Sequence, residues 1–183
     1  MIPWFLPILV TGTVFKFFLS DAGIINSILV FLKLRSSSNI IPWITSGSIA
    51  IYSLTIANIW RGIPFTFILL YTGMKGIPNE LYEAAEVDGA IGWKRTLYIT
   101  VPLLKPVIVT TIILATVFNI KIFNLVWIIT KGGPGNTSHL LSSYSYKLAF
   151  SDFNFGLGAA VCVIMLLVVI SVVGVSNLIK AEE

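Results

Sequence analysis

Residues 157–179 read LGAAVCVIMLLVVISVVGVSNLI and contain no charged side chain. An α-helix rises 1.5 Å per residue, so roughly 20 apolar residues cross the hydrocarbon core of a bilayer. A run of this length without charge is not found on the surface of a soluble domain. This stretch therefore predicts a membrane-spanning helix.

The composition of the whole chain agrees with that prediction. Hydrophobic residues make up 56% of the 183 residues and charged residues 11%, against roughly 45–50% and 25% in soluble proteins. These values exclude a soluble globule, a disordered chain and a coiled coil, and the single cysteine, Cys162, cannot form an internal disulfide. The net charge of +4 comes from scattered basic residues, so no nucleic-acid partner is expected.

Four apolar stretches qualify as spans, which predicts an all-α membrane protein with about four transmembrane helices in contact with the lipid bilayer. These stretches are residues 2–19, 49–71, 107–130 and 157–179. Between the first two, apolar residues recur at helical spacing, which predicts a helix lying in the membrane interface. They are Ile24, Ile25, Ile28, Leu29 and Leu32.

The most polar connection, residues 76–106, reads GIPNELYEAAEVDGAIGWKRTLYITVPLLKP. Pro78 suits the first position of a helix, where its missing N–H costs nothing. We expect Leu81, Ala84 and Ala85 on one face of this helix. The acidic residues Glu80, Glu83 and Glu86 should occupy another. Gly89 then permits a turn, and residues 93–100 are expected to form a second short helix, limited by Pro102 and Pro106. An exposed helix of this kind between two spans is either a docking element or an amphipathic helix resting on lipid headgroups.

Four segments of the chain, in order, resemble a known family. Glu83-Ala84-Ala85-x-x-Asp88-Gly89-Ala90, continued by Ile99-x-x-Pro102-Leu103-Leu104-x-Pro106, resembles the Glu-Ala-Ala loop of the membrane subunits of binding-protein-dependent ABC importers. The sequence is most similar to the carbohydrate-uptake group of these permeases. Matching segments are IWRGIPF at 59–65, ITKGGP at 129–134, and the approach to the last span from Tyr146 to Gly156. The resemblance covers roughly residues 3–175.

The resemblance implies a membrane subunit that is not itself an enzyme and has no catalytic or metal-binding residues. Its partners would be ABC ATPase subunits, a second permease subunit, an extracellular or periplasmic solute-binding protein and a sugar-like solute. ATP would be bound by the ATPase subunits, since this chain contains no GxxxxGK[ST] motif. The implied ATPase-coupling residues are Glu83 as anchor, Ala84 and Ala85 for close packing, Asp88 to fix the loop, and Gly89 for the bend.

The same resemblance places the protein in the cell membrane as a multi-pass permease domain over residues 1–183, with the 76–106 loop in the cytoplasm. Five Lys and Arg residues on the side of that loop against four on the other side give the same orientation. Family members usually have two further spans before the position of Met1, so the resemblance implies a domain lacking its first one or two spans. Asn124 stands where many relatives carry Asp.

Polar residues within the predicted spans are candidates for the solute pathway. They are Arg61, Asn119, Lys121, Asn124 and Trp127. Arg61 has a competing role as partner of the carbonyls freed by Pro64, and the amides could instead join helices. Asn119 and Lys121, two apart, are not expected to share a helical face, whereas Lys121 and Asn124 are. The lone histidine, His139, is expected to be solvated.

Two other functions compete with a transporting permease. The first is a truncated, non-transporting relative that acts as an assembly or regulatory membrane module. The second is a small membrane enzyme or channel, which the absence of paired carboxylates or histidines from the predicted spans disfavours.

Overall fold

The computed structural model describes the backbone of residues 2–181 and the side chains of residues 3–174. Within that range the structure is helical and contains no β-strand. The helices are α1 (Ile2–Phe5), α2 (Ile8–Phe18), α3 (Ile24–Phe31), α4 (Ala50–Lys75), α5 (Asn79–Val87), α6 (Trp93–Arg95), α7 (Val101–Ile120), α8 (Asn124–Ile129), α9 (Leu141–Tyr146) and α10 (Phe155–Ala181).

Three helices of the described chain are long and apolar enough to cross a membrane: Ala50–Lys75, Trp93–Ile120 and Phe155–Gly174. They confirm the predicted all-α membrane fold. The stretch predicted as the first span is different, because it divides into α1 and the 11-residue α2. Pro7 separates the two, and 11 residues extend only about 16 Å, roughly half the hydrocarbon thickness.

The second long helix begins earlier than predicted. Residues 93–100 do not form a separate short helix, because α6 continues through a π-helical segment, Thr96–Thr100, directly into α7. Pro102 and Pro106 are accommodated within this continuous helix. Local π-type adjustment is one of the ways in which membrane helices tolerate residues that lack an N–H donor.

This helix also ends earlier than predicted, at Ile120, so residues 107–130 are not one span. The side-chain amide of Asn119 donates to the carbonyl of Ala115 at 2.7 Å and competes for the helical backbone acceptors. The chain then breaks, and α8 packs beside α2. A β-carbon on Gly12 of α2 would lie 2.9 Å from Ile128 Cγ2, so glycine permits this close approach.

The buried core lies where α4 meets α8. Leu54 and Ala57 of α4 pack with Leu125, Val126 and Ile129, and partly buried side chains from α2 and the loops close around them. By contrast, only 6% of the most apolar 18 residues of α10 are buried within the chain. An apolar helix this exposed is suited to contact with lipid or with another membrane subunit.

The predicted helix between the first two apolar stretches is present as α3, with Ile28, Phe31 and Leu32 exposed. Its buried residue is Asn26, which fastens α3 to the following loop. The Asn26 amide donates to the carbonyls of Asp21 and Ile41 at 3.1 and 2.9 Å. Its oxygen accepts hydrogen bonds from the backbone N–H of Ile41 and from the indole of Trp43, both at 3.2 Å.

Candidate functional site

The predicted docking helix is α5, and its acidic side chains are exposed. Glu80, Glu83 and Glu86 are all exposed to solvent. The two alanines do not share an environment, contrary to the expectation of one alanine-lined face. Ala85 is buried, at 5% exposure, whereas Ala84 is exposed. Of the two alanines, Ala85 packs inward and Ala84 lies on the surface beside the glutamates.

The end of α5 is set by Gly89. The N–H of Gly89 donates to the carbonyl of Glu86 at 3.0 Å, and the N–H of Ala90 donates to the carbonyl of Ala85 at 2.8 Å. This pair of bonds is a Schellman motif, in which the residue after the helix adopts a left-handed conformation. Gly89 does so, with φ of +76°. Asp88 is the C-cap residue, and its carboxylate makes no hydrogen bond to the part of the chain that the structure describes.

Tyr82 joins α5 to the long membrane helix. Its hydroxyl accepts a hydrogen bond from Thr100 Oγ1 at 3.4 Å, and the Arg95 guanidinium lies over its ring, 5.4 Å from the centroid. A groove of about 540 Å³ runs between the two helices, with Glu83 and Glu86 on one wall and Arg95 on the other. Sequence reasoning did not single out Tyr82. It could have been found as the aromatic residue one helical turn before Glu86.

A second feature is a cavity of about 830 Å³ between α1, α4 and the end of α7. Its polar lining comprises Asn58, Arg61, Thr66, Asn119, Lys121 and Asn124. Aromatic rings form much of its apolar lining. Trp4 stacks on Phe65 with centroids 5.0 Å apart, and Phe65 meets Phe118 edge-on at 5.7 Å. A mainly apolar cavity with a few convergent polar groups is the usual form of a small-molecule site.

Four of the five predicted pathway residues line this cavity: Arg61, Asn119, Lys121 and Asn124. Asn119 and Lys121 were not expected to share a helical face, yet both line this cavity, because α7 ends at Ile120 and helical spacing does not relate them. Neither Arg61 nor Lys121 makes a hydrogen bond or ion pair with residues 3–174. Arg61 is therefore not seen in the competing role of partner to the carbonyls near Pro64.

Trp127 is not among the residues lining the cavity. Its ring stacks on Phe123 at 5.4 Å and meets Tyr146 edge-on at 4.8 Å, within an aromatic cluster that links α8 to α9. Phe123 belongs to both the cluster and the cavity wall. A pathway role for Trp127 stays a prediction.

Asn58 was not singled out by the sequence analysis. Its amide donates a hydrogen bond to the side-chain oxygen of Asn119, which ties α4 to α7. Asn58, Asn119 and Ile122 line the large cavity and also a neighbouring one of about 440 Å³. The Asn58–Asn119 pair therefore stands in the wall between the two cavities.

His139 is half-buried rather than solvated. Its ring lies against Gly132, where a β-carbon would overlap the imidazole, and its Nδ1 is 3.0 Å from Ser143 Oγ. Burial, and to a smaller extent the positive charge of Lys147, lowers the pKa of His139 below its ordinary value. The turn that precedes it contains a cis Gly133–Pro134 bond.

The long apolar helices, the exposed acidic helix between two of them and the polar cavity define a multi-pass helical membrane protein. The chain belongs to the family of binding-protein-dependent transport system inner membrane components, whose sequence model matches residues 1–180. The family resemblance and the multi-pass membrane location are thereby confirmed. So is the prediction that the chain is a permease component and not an enzyme.

Similar proteins are named as permease proteins of transport systems. The chain is 35% identical over 174 residues to a probable ABC transporter permease protein of Pyrococcus horikoshii, covering 94% of this chain and 59% of that protein. It is 33% identical over 175 residues to the trehalose/maltose transport system permease protein MalF of Thermococcus litoralis, covering 93% and 57%. The chain thus spans about three fifths of the length of these relatives.

The fold is similar to that of a solved transporter chain. That structure is a bacterial alginate ABC transporter in complex with an alginate pentasaccharide-bound periplasmic protein. The TM-score is 0.85 at 23% sequence identity, over 98% of this chain and 62% of that one. The similarity confirms the permease fold.

Proposed function

We propose that this chain is the membrane subunit of an ATP-driven importer of a sugar-like solute. The observation that carries the proposal is the attachment of α5 to the helix Trp93–Ile120, which reaches the cavity at its other end. In this proposal α5 docks on a separate ATPase subunit and the cavity forms part of the solute path. The names of the trehalose/maltose relative and of the alginate transporter support a carbohydrate as cargo.

The proposed ATPase contact is the exposed surface of α5 around Glu83 and Ala84. Exposed acidic side chains on a helix with a fixed end offer a partner both charge and shape. Ala85 contributes indirectly, because it packs inward and holds the helix in place. Gly89 ends the helix and sets the direction in which the chain leaves it. Lys75, Lys94 and Arg95 flank α5, and their positive charge supports a cytoplasmic position for this loop.

The other proposed partners are a second permease subunit and an external solute-binding protein. The exposed apolar length of α10 provides surface for a membrane partner. The alternative of a non-transporting assembly module receives no support from the family or from the relatives.

Co-purification with the ATPase tests the proposal. The chain is expressed with the ATPase and the partner permease encoded beside it, extracted in mild detergent and captured on a tag. Glu83→Lys should lose the ATPase while still inserting in the membrane. The matched control is Asp21→Lys, the same change in charge on an exposed residue between α2 and α3, and it should keep the ATPase. Retention by Glu83→Lys, or no retention by the inserted and folded wild type, would contradict the docking role.

A further inference from the structure

The charged residues that line the cavity are all positive. Arg61 and Lys121 are its two ionisable lining residues, and both are cationic. The sequence explains why no carboxylate accompanies them: positions 22–79 and 89–151, which include every lining residue after Ile8, contain neither Asp nor Glu. The acidic residues of the described chain are confined to α5 with its C-cap and to Asp21 and Asp152.

Arg61 and Lys121 make no ion pair with the residues that the structure describes, and cations inside a membrane protein are costly unless an anion or water accompanies them. Arg61 is held on α4 and Lys121 follows the end of α7, so two separate elements deliver positive charge to one cavity. Asn58, Asn119 and Asn124 add amides, which both donate and accept hydrogen bonds. Guanidinium and ammonium groups only donate. Arg61 and Lys121 therefore give this wall more hydrogen-bond donors than acceptors, and a positive charge.

We propose that the cavity selects an anionic solute, namely a sugar-like molecule that carries a carboxylate, sulfate or phosphate group. Arg61 can bind such a group through two parallel hydrogen bonds, and Lys121 adds a point charge. The rings of Trp4, Phe65 and Phe118 supply the apolar wall against which a sugar face can pack. This inference rests on the proposed function, because it assigns the solute class of the cavity taken there as the transport path.

Charged thiol reagents measure the electrostatic part of the proposal directly. The native Cys162 is replaced by serine, and Thr66→Cys places a single thiol in the cavity wall of the full-length chain in detergent. This thiol is reacted with a sulfonate-bearing and with a trimethylammonium-bearing methanethiosulfonate. Each reaction rate is divided by the rate at which the same reagent modifies a free thiol in solution. We expect the anionic reagent to be favoured at least about tenfold, because two cations in the same cavity wall attract an anion and repel a cation.

Removing the two charges should remove this preference. The double substitution Arg61→Gln with Lys121→Gln should bring the ratio of the anionic to the cationic reaction rate close to one. The control Lys16→Gln neutralises an exposed lysine on α2 and should leave that ratio unchanged. Equal rates with both reagents, or a preference that survives the double substitution, would overturn the proposal. Ala115→Cys provides a second thiol position if Thr66→Cys does not fold.

Protection by sugars tests the solute class. Glucuronate should slow modification of Thr66→Cys at a concentration at least about tenfold lower than glucose does, and the double glutamine variant should lose that difference. Equal protection by the two sugars, or protection by neither, would overturn the anionic assignment. These measurements need neither ATP nor the ATPase. Their failure would leave the docking role of α5 intact, and failure of the co-purification would leave the labelling ratios readable.

Discussion

Replacing Gly89 by alanine isolates a backbone effect, because nothing lies within 4 Å of the position that a β-carbon would take there. The cost comes from φ of +76°, a left-handed conformation that an L-residue adopts at a penalty of about 1–2 kcal/mol. That penalty falls on the two hydrogen bonds that close α5. A penalty of this size changes the population of the closed helix end by a factor of roughly 5–30.

Hydrogen exchange at the Ala90 amide reports this change. In the wild type that N–H donates to the Ala85 carbonyl at 2.8 Å, so exchange requires local opening of the helix end. We expect Gly89→Ala to accelerate exchange at Ala90 by about 5–30-fold. Gly89→Asn should have a smaller effect, because asparagine tolerates the left-handed region better than alanine.

The control is Gly62→Ala, which also adds a methyl group in open space but within the regular helix α4. It should leave exchange at Ala90 unchanged. Unaltered exchange in Gly89→Ala, or an asparagine variant as fast as the alanine variant, would refute the assignment of a strained left-handed position.

Three further changes test other parts of the structure. Asn26→Ala leaves buried donors and acceptors unpaired, so it should destabilise the protein by about 2–3 kcal/mol, measured by thermal unfolding in detergent. Tyr82→Phe removes only the hydrogen bond from Thr100 and should lower ATPase retention less than Tyr82→Ala, which also removes the ring. His139 has its pKa lowered below the ordinary value of 6.5, so the unfolded chain binds more protons as the pH falls. Stability should therefore decrease below about pH 6.5, and His139→Gln should abolish that decrease.

Each of these expectations has a contradicting outcome. Asn26→Ala with wild-type melting would mean that the loop after α3 does not depend on that amide. Tyr82→Phe as damaging as Tyr82→Ala would assign the connection to the hydroxyl rather than to the ring beneath Arg95. A stability profile of His139→Gln that still falls with acid would place the titrating group elsewhere.

Hydropathy was sufficient to predict a helical membrane protein, but it could not locate every helix end. Pro102 and Pro106 suggested a stop, yet the helix continues from a π-helical segment, Thr96–Thr100, through both prolines to Ile120. The end at Ile120 lay inside a stretch predicted as one span, and it follows Asn119, whose side-chain hydrogen bond to the Ala115 carbonyl hydropathy does not register. The first apolar stretch contains enough apolar residues for a span, but Pro7 divides it into two helices that are each too short to cross the bilayer.

The candidate site was partly predictable for a similar reason. Charged and amide residues within apolar stretches are conspicuous, so four pathway candidates were found before the cavity was seen. The joint position of Asn119 and Lys121 was missed because helical spacing was assumed to continue past Ile120. Asn58 and Tyr82 were missed because their roles depend on which helix faces them, and local sequence spacing does not contain that information.

The continuous helix Trp93–Ile120 is long, with α5 attached near one end and the cavity wall at the other. From Trp93 to Asn119 it extends about 39 Å, so a rigid tilt of about 5° at its α5 end displaces Asn119 by roughly 3 Å. A hydrogen bond does not survive such a displacement, since its donor–acceptor separation cannot exceed about 3.5 Å. With α4 held in place, a tilt of that size would separate Asn119 from Asn58 and break the hydrogen bond in the wall between the two cavities. A small angular movement at one end of this helix would thus be felt at the wall between the two cavities at the other end.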